Sequence, residues 1–555
     1  MSITLIENLS NEFFFEIFEY LDGCEIYQAF SNLNYHFQQL INSLFLLLKF
    51  NFYRLTSDNV YTNTYKQLLF NNKHQILSFH ITLPLEKDDF LSSFSIDSSF
   101  DHLESLIIID ISENILLSLL ANLYSLSRLF SLTIDTQHRI NDLSDIYRLI
   151  FTLPKLKYIK CSSEIYVTCD LLSMATNEQF SNIEYFIIEH PFAFKELCTL
   201  ISYVPQLRHL TFSGLTDEDI NIKVIKSITL SNLTRLYIQI DEISADKLEI
   251  FINKLNAKLK VLSLGCTSED IDYLNANRWE NFILNNLPQL ENFYFTYHAY
   301  FGDDDIPSMY FGIRDQFISS FWLQRQWTLE TEIEFDTVQY SIRPYKKRWY
   351  EYDKQHIIIN QYSKLIRLII KDVSPEKWFK TLSINQYIDH ILTVTKIYHL
   401  EIQETICFSK LCEILYNLPE LDTLRIHSLS FSKTDYLSDE ELDNVIVLLS
   451  KNHITKLYFE KMNEIEEIYL LMLAFLHINY LRIKCVNYME AELLVKFILT
   501  LMKNESYHLI RLLCFSIPTA DDKMVRKLEA IIIVKNLLWN CTIKRVVDNI
   551  YLYWK

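Results

Sequence analysis

Glycine and proline are scarce in this chain, with 5 glycines and 10 prolines among 555 residues. Loops that cradle phosphate depend on glycine, because only a residue without a side chain lets the backbone come that close to a ligand. Neither GxGxxG nor GxxxxGK[ST] occurs, and HExxH and GxSxG are also missing. We therefore expect a protein that is not an enzyme and that uses no cofactor.

The ten cysteines include no CxxC pair, and their spacing suggests neither a zinc site nor a disulfide framework. They stand at positions 24, 161, 169, 198, 266, 407, 412, 485, 514 and 541. We expect reduced, mostly buried thiols of the kind found in intracellular proteins.

Basic charge is in the minority, since 52 Lys and Arg against 70 Asp and Glu give a net charge of −18. Such a chain is a poor general partner for nucleic acid or an anionic membrane, so we expect neither. No apolar run is long enough to span a bilayer, and the first residues lack the features of a secretion signal. A cytoplasmic or nuclear location is the expectation.

A short apolar pattern returns through most of the chain: apolar, two variable, apolar, one variable, apolar. LTRLYI (233–238) and LDTLRI (421–426) are examples. The pattern starts at 76, 103, 129, 156, 183, 207, 233, 259 and 290, and again at 365, 397, 421, 454, 478 and 509. Its alternating end predicts a short strand, and the segments between, such as ADKLEIFINKLNAKL (245–259), have helical spacing. Each repeat is therefore one helix followed by one strand.

This pattern resembles the longer, helix-containing leucine-rich repeat over most of residues 70–295 and 361–515. The resemblance implies an α/β solenoid with a parallel, concave sheet, because single repeats cannot bury their apolar face alone. Most units lack the Asn or Cys that follows the strand in that family. Residues 296–360 break the period as an insertion or a degenerate pair of repeats. Within them WTLETEIEF and VQYSIRPY, separated by Asp336 and Thr337, predict a hairpin.

The first 45 residues predict three short amphipathic helices, the first with Ser10 as its N-cap. They resemble an F-box, although Ser10 replaces the usual proline and Glu25-Ile26 the usual Asp-Leu pair. The residues that follow the family's pattern are Leu9, Glu12, Phe13, Phe14, Ile17, Phe18, Tyr20, Leu21, Glu25, Ile26 and Leu33.

The resemblance implies docking of a Skp-type adaptor that tethers the protein to a cullin ubiquitin ligase. The adaptor-binding residues would be Leu9, Phe14, Ile17, Phe18, Leu21, Ile26, Phe30 and Leu33. The alternative is that these helices cap the first repeat, since the ends of a solenoid must be covered. Both roles are compatible if they use different helix faces.

The variable positions three and five of the repeat should face the concave side of the sheet. Seven basic residues and a single acidic one, Glu401, occupy them. We expect this surface to bind an acidic or phosphorylated protein client. Its predicted residues are Arg235, Tyr237, Arg367, Arg425, Lys456, Tyr458, Tyr480, Arg482 and Arg511. The alternative is that these cations stay solvated or pair with neighbouring acids.

Two charged stretches of the insertion are weaker candidates. Asp303, Asp304 and Asp305 could bind a hard cation, but a solvated loop is the better interpretation, so we expect no metal site. YKKRW (345–349) could be an anion or nuclear-import patch, or again a solvated loop.

The sequence thus predicts an F-box-like helical domain at 1–50, a leucine-rich arc at 70–295, an insertion at 296–360, and a second arc with a C-terminal cap at 361–555. We expect a non-catalytic substrate receptor of a Skp–cullin–F-box ubiquitin ligase, which brings client lysines near a charged ubiquitin carrier. The alternative is a leucine-rich interaction scaffold without any ligase.

Overall fold

The chain folds as α/β, with short strands and helices in two compact units. The computed structural model describes residues 9–43, 46–52, 68–82, 96–136, 140, 142–164, 168–169, 171–216, 227–301, 309–346, 348–349, 366–372, 383–430, 452–485, 488–504, 510–518, 520–537 and 541–554. Unit 1 comprises Met1–Cys266 and Phe282–Glu291, and unit 2 comprises Thr267–Asn281 and Asn292–Lys555. Each unit contains a mostly parallel sheet.

Unit 1 begins with the three predicted helices, α1 (Asn11–Glu19), α2 (Gly23–Phe30) and α3 (Tyr35–Ile41). Their shared core is aromatic: the Phe14 and Phe37 rings lie 5.0 Å apart, and those of Phe18 and Phe30 5.1 Å apart. A capping box formed by Asp22 and Glu25 starts α2. Ser10 precedes α1 but makes no side-chain capping bond.

These helices are anchored to the first strands of unit 1. The Tyr27 hydroxyl donates to Asn72 Oδ1 at 2.7 Å, and Gln75 Nε2 donates to the Ser43 carbonyl at 2.7 Å. A Cβ added at Gly23 would lie 2.7 Å from the Phe50 ring, so α2 packs on strand 48–52 more closely than a larger residue allows. Part of the apolar surface of the helices is therefore used inside the unit.

Among the described residues nine strands follow in unit 1, although Thr267, the last residue of the ninth, belongs to unit 2. The sheet starts earlier than the predicted repeats. The strands are β1 (Leu48–Phe52), β2 (Ile76–Thr82), β3 (Ser105–Ile109), β4 (Ser131–Asp135), β5 (Tyr158–Ser162), β6 (Tyr185–Ala193), β7 (His209–Thr216), β8 (Arg235–Asp241) and β9 (Val261–Thr267). Strands β1 to β8 pair in chain order and all in parallel. The helices are α4 (Glu113–Leu123), α5 (Ser144–Thr152), α6 (Phe194–Ser202), α7 (Ala245–Lys254) and α8 (Ala276–Asn286), of which α8 has residues in both units.

The fourth residue of the sequence pattern forms a continuous buried row across this sheet. Its members lie in register and are fully buried: Leu106, Leu132, Ile159, Phe186, Leu210 and Leu236. Burying one such side chain contributes roughly 1.5–3 kcal/mol, so the row is a main source of stability. The predicted helix–strand repeat is confirmed for these strands.

Backbone hydrogen bonds stack the repeats at the second residue of the pattern. The Glu104 carbonyl accepts from the amides of Phe130 and Ser131, and the Arg208 carbonyl accepts from Thr234 and Arg235. The same two-to-one arrangement recurs in unit 2, where the Tyr398 carbonyl accepts from Asp422 and Thr423. Peptide groups thus fix the spacing of these repeats.

Unit 2 contains the remaining strands. They are β10 (Asn292–Tyr300), β11 (Trp327–Glu334), β12 (Thr337–Pro344), β13 (Arg367–Ile370), β14 (His399–Cys407), β15 (Thr423–Ser430), β16 (Lys456–Phe459), β17 (Tyr480–Lys484), β18 (Leu512–Ser516), β19 (Thr542–Val546) and β20 (Asn549–Tyr553). The helices are α9 (Ser320–Gln324), α10 (Ile384–Val394), α11 (Phe408–Tyr416), α12 (Glu466–Ala474), α13 (Tyr488–Asn504) and α14 (Asp522–Val534). Strands β13 to β18 pair in parallel and in chain order.

Two hairpins flank this parallel stretch. Strands β11 and β12 form the predicted hairpin, but its loop is Phe335–Asp336, one residue earlier than expected. Phe335 takes the left-handed conformation, with φ of 51°. Because β12 pairs with β10 and β11 pairs in parallel with β13, the insertion is part of the sheet. At the other end the β19–β20 hairpin pairs with β18.

All ten cysteines are free thiols and are buried or half-buried, which confirms the prediction of mostly buried thiols. Burial raises the pKa of Cys161 and of Cys198 to about 12, so both stay protonated at neutral pH. Among the described helices, none combines the length and the apolar character needed to cross a bilayer.

Candidate functional site

Charged side chains of alternating sign cross one face of the unit 2 sheet. The strand register places Glu330 of β11 beside Arg367 of β13, and Glu401 of β14 beside Arg425 of β15. These residues alternate with the buried residues of the pattern, so they share the opposite face. We call Glu330, Arg367, Glu401, Arg425 and Glu460 the charge ladder.

Each arginine of the ladder bridges two carboxylates. Arg367 reaches Glu330 at 3.0 Å and Glu401 at 3.3 Å. Arg425 reaches the second oxygen of Glu401 at 2.9 Å and also donates to Glu460. Glu401 is therefore held between two guanidinium groups with only 8% of its side chain exposed. The two guanidinium groups take the place of the water that this buried carboxylate has lost.

His427 contacts Glu460, the last residue of the charge ladder: its Nδ1 lies 3.1 Å from Glu460 Oε2. Burial alone would raise the pKa of Glu460, but the hydrogen bonds and positive charges of Arg425 and His427 outweigh it and lower that pKa. Glu460 is thus kept ionised as a counterion of Arg425.

The segment after β12 covers the near end of the ladder. Arg343 and Arg348 approach Glu330 at 3.6 and 3.5 Å, and the Arg348 side chain is 5% exposed. Trp349 packs with its ring centroid 5.1 Å from that of Tyr458 and 5.8 Å from that of Tyr480. The prediction of a solvated loop is therefore wrong for Arg348. Residue 347 of the same stretch lies outside the described residues.

Tyr458 and Tyr480, predicted as client contacts, are buried. The guanidinium groups of Arg425 and Arg482 lie 5.0 and 4.6 Å from the centre of the Tyr458 ring. Burial raises the pKa of both tyrosines. The prediction that these rings form an exposed binding surface is wrong, because Trp349 and the arginines pack against them.

The predicted cations of this face have partners inside the unit. Besides Arg367 and Arg425, Lys456 pairs with Asp422 at 2.8 Å and Arg482 donates to Asn549 Oδ1 at 3.1 Å. Pairing with neighbouring acids, the alternative interpretation, is what the structure shows for Arg367, Arg425 and Lys456. The sequence pattern placed only one acidic residue on this face, because it did not include Glu330 and Glu460. Glu330 lies in the hairpin, and Glu460 directly follows the repeat that starts at residue 454.

Arg511 is out of the predicted register. Its amide and that of Leu512 both donate to the Asn479 carbonyl, so Arg511 corresponds to the second position of the pattern. Leu512 and Cys514 pair with Tyr480 and Arg482 and take positions three and five. Arg511 precedes the strand and is exposed, so its placement on the sheet face was wrong.

Arg235 and Tyr237 belong to unit 1, apart from the charge ladder. Arg235 is exposed, and Tyr237 stacks on His209 with ring centroids 5.0 Å apart. Burial, and then the charge of Arg235, lower the pKa of His209. Arg235 and Tyr237 of β8 form a small surface together with His209 of β7.

A pocket of about 430 Å³ opens beside the charge ladder, within the size range of ligand sites. Its lining comprises Glu330, Arg343, Pro344, Lys346, Arg348, Trp349, Arg367, His399, Leu400, Glu401, Thr423 and Arg425. Sequence reasoning found Arg367, Glu401 and Arg425 and named YKKRW (345–349) as a possible anion patch, but it missed Glu330, Arg343 and Pro344 of the hairpin.

The N-terminal helices form a second candidate surface. Phe14, Phe18 and Ile26 are buried, so their predicted role as adaptor contacts is wrong for this conformation. Leu9, Ile17, Leu21 and Phe30 are half-buried and Leu33 is exposed.

Helix α1 also carries a second apolar stripe, which faces outward. Phe13 is 47% exposed and Tyr20 is 89% exposed, with Ile17 between them at helical spacing. The F-box resemblance included Phe13 and Tyr20, but they were not predicted as adaptor contacts.

Unit 1 also buries a Tyr–His pair that no sequence pattern indicated. The Tyr147 hydroxyl lies 2.6 Å from His190 Nε2, and His190 Nδ1 lies 3.2 Å from the Pro191 carbonyl. Burial lowers the pKa of His190 to about 4.

We expect unit 1 to lose about 3 kcal/mol of stability between pH 7 and pH 4 through His190 alone. The unfolded chain takes up a proton near pH 6.5, whereas the folded chain resists it down to about pH 4, so stability falls within this window. Hydrogen exchange of β6 measures the effect. His190→Gln should remove this part of the pH dependence, and parallel pH profiles of the two proteins would contradict the assignment.

Within the described part of the chain, no group of three or more His, Cys, Asp or Glu is placed to hold a metal ion. Asp303, Asp304 and Asp305 lie outside the described residues. Comparison with models of known protein families and with curated proteins gives no match.

Proposed function

We propose that the protein is a non-catalytic substrate receptor of a Skp–cullin–F-box-type ubiquitin ligase. In this proposal α1 to α3 dock a Skp-type adaptor, and the helix–strand repeats are a leucine-rich-repeat solenoid that binds a protein client. Ubiquitin transfer takes place on associated proteins, and the receptor contributes proximity.

The observation that carries the proposal is that α1 is apolar on two sides. Its inner side fills the aromatic core through Phe14 and Phe18, while Phe13 and Tyr20 remain at the surface. A helix that only caps a solenoid needs a polar outer side. An outward apolar stripe on a short helix suits a partner that covers it.

The scaffold alternative has its own support, since the contacts of Tyr27 and Gln75 anchor these helices to the sheet as a cap would be. Both roles can hold, because the anchoring residues and the outward stripe are different.

Co-purification with a Skp-type adaptor tests the proposal. We expect wild-type protein to retain the adaptor, and Phe13→Asp with Tyr20→Asp to reduce recovery at least about tenfold, because charge in an apolar interface is strongly unfavourable. The matched control is Phe130→Asp with Tyr124→Asp, an exposed Phe and Tyr elsewhere in unit 1. Failure of the wild-type protein to retain adaptor would favour the scaffold.

A further inference from the structure

The pocket beside the charge ladder has a positive lining in an otherwise acidic protein. Five basic residues face it, namely Arg343, Lys346, Arg348, Arg367 and Arg425. Two acidic residues, Glu330 and Glu401, also line it, so the lining carries three more positive than negative charges. The whole chain has 52 basic and 70 acidic residues, which makes this local excess opposite to the average.

The internal carboxylates leave one hydrogen-bond donor of Arg367 unused. Glu330 alone is approached by three guanidinium groups, those of Arg343, Arg348 and Arg367. Each guanidinium has five N–H donors, and neighbouring guanidinium groups repel one another unless anions separate them. The Nε of Arg367 is buried, and no described residue accepts a hydrogen bond from it.

The chemistry of the pocket favours a compact dianion over a long polyanion. The net charge of −18 opposes a polyanion wherever it extends beyond the pocket, whereas the arginines act within a few ångströms. Arginine forks match the oxygens of a phosphate group and bind it in pairs. Trp349 and Pro344 add apolar walls against which an organic group attached to the phosphate can pack.

We propose that this pocket binds a phosphate monoester. If the proposed receptor function holds, the source of that group is a phosphorylated side chain of the client, and this part of the inference rests on the proposed function. A free phosphate or a small phosphorylated molecule is the other source, and direct binding separates them.

The experiment is calorimetric titration of the full chain, without adaptor, with three probes: inorganic phosphate, a peptide of neutral residues with one phosphoserine, and the same peptide unphosphorylated. We expect phosphate to bind with an affinity that falls as salt rises. We expect the phosphopeptide to bind at least about tenfold more tightly than the unphosphorylated peptide.

Arg343→Gln with Lys346→Gln should weaken phosphate binding about tenfold or more, because it removes two of the five cations. Both side chains are partly exposed, so the variant should fold, and its thermal unfolding checks this. Lys523→Gln with Arg526→Gln changes exposed residues on α14 by the same charge and should leave binding unchanged.

Absence of phosphate binding, or equal loss in the two variants, would overturn the proposal. Phosphate binding without any preference for the phosphopeptide would support the pocket and overturn the client as the source. Because no adaptor is present, a negative adaptor experiment does not affect either result.

Discussion

Arg425→Glu is expected to lower the free energy of unfolding of unit 2 by about 3 kcal/mol. Arg425 is the shared partner of Glu401 and Glu460, and Glu401 is almost fully buried. The substitution removes their counterion and adds a third carboxylate on a neighbouring strand, where like charges oppose pairing. The arginine itself is partly exposed, and solvent screening weakens its ion pairs. The expected loss of free energy is therefore at the lower end of the range for buried pairs.

Urea unfolding followed by tryptophan fluorescence measures this loss without a signal from unit 1, because the sequence of unit 1 contains no tryptophan. Arg511→Glu makes the same change of charge at an exposed position and should stay within about 0.5 kcal/mol of wild type. Equal destabilisation by both variants would mean that net charge, and not the ladder, is responsible.

Because Arg425 belongs to the charge ladder, it is a poor position at which to test client binding. A variant at Arg425 that captures less partner would have two explanations, since stability and binding change together. Arg343 and Lys346 line the same pocket from its partly exposed side, and their removal leaves the pairing of Arg425 with Glu401 intact. Loss of binding in that variant is therefore evidence about the pocket.

The period of the sequence was sufficient to predict the repeats, because burial acts on every repeat in the same way. Leu106, Leu132 and Ile159 occupy the same position of the pattern and meet in one buried row. The strands stack although most units lack the Asn or Cys that follows the strand in leucine-rich repeats, since paired amides on one carbonyl, as at Glu104, set the spacing.

The register of the last repeat could not be read from the same pattern. The run LIRLLCF places apolar residues at both parities, so two strand faces compete. The structure buries Leu513 and Phe515 on the core face of β18 and Cys514 on the other face, where it packs with Tyr480 and Tyr551. On the core face Phe515 buries more apolar area than Cys514 would in the predicted register. Arg511 therefore precedes the strand and does not lie on the sheet face where it was predicted.

The composition of the candidate site was hidden for a different reason. Its charge balance depends on Glu330 and its aromatic wall on Trp349. Both residues come from segments without the repeat period and reach the face only through the fold. For α1, the sequence could not predict which apolar stripe faces the core. Both stripes of the helix are apolar, so spacing alone could not tell the inward Phe14 from the outward Phe13.

The insertion is expected to be essential to unit 2, and Trp322→Ala should lower its free energy of unfolding by about 3–5 kcal/mol. Trp322 is fully buried, with the rings of Phe317, Phe321 and Trp327 within 6.0 Å and Phe293 of β10 at 6.1 Å. Removing the indole leaves a large cavity that the rings cannot close, because Phe293 is held by β10 and Trp327 by β11.

Phe311→Ala is the matched control within the same insertion, since Phe311 is 92% exposed and should cost no more than about 0.5 kcal/mol. Trp322→Phe should lose clearly less than Trp322→Ala. The indole nitrogen is buried and no described residue accepts its hydrogen bond, so the phenyl ring keeps much of the packing without that donor. If Trp322→Ala unfolded at the wild-type urea concentration, residues 296–360 would be an appendage on the sheet. A large loss means instead that the hairpin, and with it Glu330 and the pocket, folds together with the repeats that follow.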